Sequence, residues 1–239
     1  MTLISYRAVL ATPGARFFVI AAFIGRLPLS MLGLGTIVLV QSRTGFYALA
    51  GAVTATLTLS LSAAAPAAGR LADRLGQARV LVASLTVHLA GLTGLVAAVL
   101  TEAPRWTLFA AAIPAGAAVP QLSSMVRTRW TRLLGDSLDL QTAYALESVL
   151  DEVVYILGPV IVTVLATQVT AAAGLGSAVV FAAVGTLLFA SLRATQPAPG
   201  RLSRRGGPRR PGQPGKLILL PTTCPAPCLG SRRRRLSAA

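Results

Sequence analysis

Acidic residues are scarce in this chain. Seven Asp and Glu stand against 22 Lys and Arg in 239 residues, and none of the seven lies beyond Glu152. Charged residues of both signs make up only 12 %, about half the ~25 % usual in soluble domains, which argues against an ordinary soluble globular protein. There is one His, His88, so no His-rich metal cluster can form. The two Cys, Cys224 and Cys228, have no further Cys or His beside them to complete a zinc set. No metal, no cofactor and no enzyme chemistry are expected. Aromatics are few, at 5 %.

What the chain has instead is apolar residues in long runs. A bilayer-spanning helix needs roughly 20 predominantly apolar residues. Six stretches qualify: Phe17–Val40, Phe46–Ala68, Val80–Leu100, Trp106–Val126, Leu146–Thr167 and Ala171–Leu192. They show no alternation and are far longer than a barrel strand of about 9–11 residues, so helix is the expected form. In lipid a helix pairs each backbone N–H within its own segment. The first run is too long for a signal-peptide core, is interrupted by Arg26 and lacks a small-residue cleavage site. It reads as a retained first span.

Charge orients the spans. Arg7, Arg16, Arg70, Arg74, Arg79, Arg127, Arg129 and Arg132 fall on one side, and only Arg43 and Arg105 on the other. Eight against two is a positive-inside bias, and it puts both termini in the cytoplasm, as an even number of spans requires. The net charge of +15 divides unevenly: residues 1–192 hold eleven Arg and seven acids (+4), while residues 193–239 hold ten Arg, one Lys and no acid (+11). Composition breaks near Ala194, where Thr195-Gln196-Pro197-Ala198-Pro199-Gly200 opens an Arg-, Pro- and Gly-rich segment. Such sequence buries too little apolar surface to order itself. The expected organisation is a six-helix membrane domain, 1–194, and a disordered cytoplasmic tail, 195–239. The Arg232–Arg235 cluster can touch anionic headgroups. Without an aromatic for base stacking, the tail is not expected to bind nucleic acid.

Between the second and third runs stands Gly69-Arg70-Leu71-Ala72-Asp73-Arg74-Leu75-Gly76, followed by Arg79. As a loop, it has Gly69 to end one helix and Gly76 to reverse the chain. Arg70, Arg74 and Arg79 hold it on the cytoplasmic side, and Asp73 has Arg neighbours to pair with. This segment resembles the hallmark loop of the major facilitator superfamily, G-x-L-A-D-R-x-G-R-R/K, in Gly69, Leu71, Ala72, Asp73, Arg74 and Gly76. It departs from the pattern where Gln77 and Ala78 stand in place of two basic residues. Gly158-Pro159 in the fifth run is similar to an element of the same family's fifth span, and a Pro there frees a carbonyl and permits a bend.

Arg26 lies well inside the first run. A charge at the bilayer centre costs about 2.5–3.5 kcal/mol on insertion scales and needs a partner. Candidates are Glu147, Asp151 and Glu152. Glu147 and Asp151 share a helix face at i, i+4, and Arg26 and Asp151 both lie roughly 10–14 Å inside their expected span edges at 1.5 Å per residue. A substrate or proton-coupling pair and a structural brace between spans one and five are both open. His88 reads as a packed or hydrogen-bonded residue of span three rather than a proton relay. Gly135-Asp136-Ser137-Leu138 spells the nucleophile block of GDSL hydrolases, but no His follows residue 88 to serve it.

The resemblance covers residues 17–192 and implies an all-α integral membrane fold, a six-transmembrane-helix bundle of 3+3 inverted repeats forming the N-terminal half of a transporter. It implies transport of a small molecule, with proton-coupled efflux one form of it, in the plasma membrane. First and fourth spans line the cavity in that family, so Met31, Gln121 and Ser124 are cavity candidates beside Arg26. In the family the hallmark loop contacts a second six-span half, and this chain reads as truncated before one. The competing readings are a membrane protein that does not transport by itself and a half-transporter that homodimerises. The bilayer is the expected partner in every case.

Overall fold

The computed structural model describes residues 9–135 and 137–192. The expected tail, 195–239, lies outside them, as do Cys224 and Cys228. Seven helices are described: α1 (Ala15–Thr44), α2 (Tyr47–Leu75), α3 (Gln77–Leu100), α4 (Arg105–Ala117), α5 (Leu122–Leu134), α6 (Leu138–Gln168) and α7 (Ala171–Ser191). They make six candidate spans, because α4 and α5 together form the fourth, Arg105–Leu134.

Apolar length makes the helices, and a few residues end them. Gly45, at φ 72°, closes α1 with its N–H on the Gln41 carbonyl at 2.9 Å. Gly76, at φ 91°, is the single residue between α2 and α3. Thr170 caps α7 by accepting the Ala173 N–H at 3.1 Å. Pro28, Pro66 and Pro159 sit inside α1, α2 and α6 without interrupting them. The one interruption within a span falls at 118–121, where Pro120 brings no N–H to the ladder.

Two connections and one residue differ from the sequence reading. The segment 69–79 is not an open loop: Gly69 through Leu75 are the last turns of α2, and α3 begins at Gln77. Gly69 therefore does not end its helix. Second, the long basic connection expected over 127–145 is almost all helix, with α5 running to Leu134 and α6 starting at Leu138. The reason is an amphipathic stripe. Leu122, Met125, Val126, Arg129 and Trp130 recur at three- and four-residue spacing, and all are buried. Third, Arg129 belongs to that buried stripe rather than to the solvated charges that orient the chain.

α1 is the hub, packing most extensively on α7 and also on α6 and α2, while α4 packs on α3 and α2. Small residues set these contacts, as expected where lipid supplies no hydrophobic drive between helices. A Cβ on Gly185 would collide with the Gly25 backbone, one on Gly91 with the Ala115 backbone, and one on Gly116 with the Leu57 carbonyl. Two apolar clusters result, one around Leu39, Val53, Leu92 and Ala112, the other around Phe18, Leu81, Val126, Trp130 and Phe189.

Candidate functional site

Arg26 is 4 % exposed and stands twelve residues into α1. Its Nη2 donates to Glu147 Oε2 at 2.6 Å and its Nη1 to Asp151 Oδ1 at 3.0 Å. One turn separates the two carboxylates on α6, so a single guanidinium fork spans both. The free oxygen of Glu147, Oε1, accepts the indole N–H of Trp130 at 2.9 Å. Both oxygens of a fully buried carboxylate are thereby satisfied, by α1 and by α5. Trp130 in turn meets Phe18 of α1 edge-on, with ring centroids 4.9 Å apart. Arg127 reaches Asp151 Oδ2 only at 4.0 Å from a half-exposed position. Glu152 points away: it is exposed and makes no ion pair.

The network differs in accessibility from end to end. The Glu147 side chain is 1 % exposed and the Asp151 side chain 26 %, so the pair is sealed at Glu147 and more open at Asp151. Close by in sequence, Gly158 lies against Ser30 of α1, and any Cβ there would strike the Ser30 hydroxyl. That hydroxyl lies 2.9 Å from each of the Leu27 and Val154 carbonyls and shares its single hydrogen between them. The Gly of Gly158-Pro159 thus permits a polar helix–helix contact.

The fourth span breaks beside a cavity of about 270 Å³ lined by Arg26, Ser62, Ala65, His88 and Gln121 among others. Of the expected cavity residues, Gln121 lines it. Met31 is instead wholly buried in the apolar cluster, and Ser124 is an exposed residue of α5 whose hydroxyl donates to the Gln121 carbonyl at 3.0 Å. His88 is buried, with Nδ1 2.6 Å from the Ala115 carbonyl.

Sequence reasoning missed Arg129. It is fully buried, stacks its guanidinium 3.6 Å above the Phe189 ring, donates to the Phe189 carbonyl at 3.1 Å and reaches the Gln77 amide oxygen at 3.4 Å. Gln77 is buried too. One end of the α2–α3 hinge is thereby tied to α5 and α7. The α5 stripe was the signal that could have found both Arg129 and Trp130. Of the hallmark-like segment, Leu71, Asp73, Arg74 and Arg79 are exposed, and Asp73 forms no ion pair with its Arg neighbours.

A family model described as Major Facilitator Superfamily matches residues 16–231. No curated protein and no solved structure matches the chain.

Proposed function

The chain belongs to the major facilitator superfamily, a family of membrane transporters, and from that premise we propose that its six-span bundle moves a small solute across the plasma membrane, with the Arg26–Glu147–Asp151 network as the element that changes state. The observation that carries this reading is the network itself. Ionisable side chains inside a membrane are costly and face bundle interiors or water-filled cavities. Here three of them join α1 to α6.

The chemistry available is a charge-gated latch. Protonating Asp151, the more exposed member, removes one of the two negative charges that anchor Arg26 and leaves the Glu147 contact in place. α1 and α6 are then held by one strong bond instead of two, and the cavity beside Arg26 can change shape. That couples proton entry to helix movement, the form expected of proton-coupled efflux. The Arg bias supports cytoplasmic termini.

Alternating access in this family rocks one six-span bundle against another around a midplane site. Six spans supply one wall. In both α2 and the fifth span only 17 % of the most apolar window is buried, which leaves apolar faces for lipid or for a counterpart bundle. We propose that a second copy of the chain can cover these faces. The second reading is a membrane protein inactive without that counterpart.

Two experiments separate the readings. A charge-exchanged variant, Arg26→Glu with Glu147→Arg, should recover folded protein relative to either single change. Loss of solute flux in that folded variant supports a working role, whereas full flux reduces the network to a brace. Cross-linking in mild detergent tests the pairing. A monomer that gives cells no uptake or efflux phenotype overturns the transport reading for this chain.

A further inference from the structure

Every charged side chain at one end of the bundle lines the same cavity. The α1–α2, α3–α4 and α6–α7 junctions make up that end, and their charged residues are Arg43, Glu102 and Arg105. All three line a cavity of about 390 Å³ that also takes in Phe46, Leu49 and Leu108. That size falls within the range usual for ligand pockets. All three are exposed, so a ligand can reach them. Among the described residues none of the three forms an ion pair. Arg105 rests its guanidinium over the Phe46 ring, 5.4 Å from the centroid. Glu102 is held in place at a backbone cost. Its φ of 52° is the one positive value among the described residues other than glycine, a conformation that glycine adopts freely and a glutamate does not.

Unpaired charges of both signs on one cavity select a ligand with both signs. A plain anion satisfies the two guanidiniums but meets Glu102, and a plain cation has the reverse difficulty. A phosphate accepts from guanidinium N–H groups, and a primary ammonium donates to a carboxylate. A quaternary ammonium has no N–H for Glu102 and depends on aromatic faces instead. Phe46 is the single aromatic ring lining the cavity, and Arg105 already lies over it. Position selects the source. Tyr47 and Trp106, next in sequence to Phe46 and Arg105, are exposed, and such residues at span ends mark the level of lipid headgroups. Leu49 and Leu108 follow deeper along α2 and α4, toward the level of the acyl chains.

We propose that this cavity binds the headgroup of a phospholipid that carries a primary ammonium beside its phosphodiester, phosphatidylethanolamine being the simplest, with Arg43 and Arg105 on the phosphate and Glu102 on the ammonium. The site is defined by equilibrium binding. It involves none of the Arg26 network and stands whether or not the bundle transports.

Native mass spectrometry of the full chain, stripped of lipid in detergent and titrated with phospholipids of matched acyl chains, tests the assignment. Phosphatidylethanolamine should bind roughly fivefold more tightly than phosphatidylcholine or phosphatidylglycerol. Glu102→Gln should bring the ethanolamine and choline lipids to about equal affinity. Arg43→Gln with Arg105→Gln should weaken binding of all three. The substituted side chains are exposed, so the lipid-free variants should melt with the native protein. Arg74→Gln, on the α2–α3 side, should keep the native preference. Glycerophosphoethanolamine, the same headgroup without acyl chains, should not compete at equal concentration. Equal native affinity for the ethanolamine and choline lipids, an unchanged preference in Glu102→Gln, the same loss in Arg74→Gln, or full competition by the free headgroup would each overturn the assignment, the last by making the ligand a soluble zwitterion.

Discussion

Glu147 is the side chain on which the polar core turns. Arg26 takes one of its oxygens and Trp130 the other. Glu147→Leu leaves a buried guanidinium held by Asp151 alone and an indole N–H with no acceptor. Breaking a buried pair in this way costs about 3–5 kcal/mol, so the variant should unfold well below the native protein in a detergent thermal melt. Glu147→Gln keeps an oxygen for Trp130 and should lose less. Arg129 makes a separate prediction. Its planar fork both stacks and donates, which Lys cannot imitate. Arg129→Lys should therefore lower the melting temperature, while Arg127→Lys, at a half-exposed site, should leave it unchanged. At this scale depth and i, i+4 spacing single out Glu147 and Asp151 in the sequence. Trp130 and Arg129 are not legible as site residues while 127–145 reads as a connection, because a loop residue has no face.

Helix ends and helix contacts obey simpler rules. Gly76 holds φ 91° and ψ 145° as the only residue between α2 and α3, a conformation open to glycine and strained by about 1–3 kcal/mol for other residues. Gly76→Ala should reduce stability by that order, measured by thermal melt. Contact glycines behave differently from spacer glycines. Gly185→Val drives a side chain into the Gly25 backbone and should cost about 1–3 kcal/mol or more through overpacking, whereas Gly33→Ala meets nothing within 4 Å and should be neutral in the same melt. Span number and order follow from apolar length, which is local. Span ends do not. α2 continues seven residues past the expected Ala68, and α6 starts eight residues before the expected Leu146, because charged residues at a membrane surface continue a helix without penalty once one face is buried. The break at 118–121 depends on Pro120 and on the room beside it, while Pro28, Pro66 and Pro159 leave their helices intact.

For the whole molecule, orientation and pairing are the open quantities. On the proposed orientation Arg74 lies on the cytoplasmic side and Glu102 on the opposite one. In protein whose two native cysteines are replaced, Glu102→Cys should react with an impermeant thiol reagent added to intact cells, and Arg74→Cys should react only after the membrane is opened. The reverse pattern would invert the topology. Apolar run length, the positions of Arg and the hallmark-like segment were enough, in the sequence alone, to establish a six-span membrane bundle of the major facilitator superfamily, since membrane insertion responds to summed local hydrophobicity and flanking charge. What only the tertiary structure decided is which buried groups meet. Arg26 with two carboxylates and an indole, His88 with the carbonyl released at the break, and Arg129 on Phe189 are contacts between segments distant in sequence. Such contacts depend on the rotation of each helix about its axis, and that rotation is set by where glycines let backbones approach, which the letters of any single span do not contain.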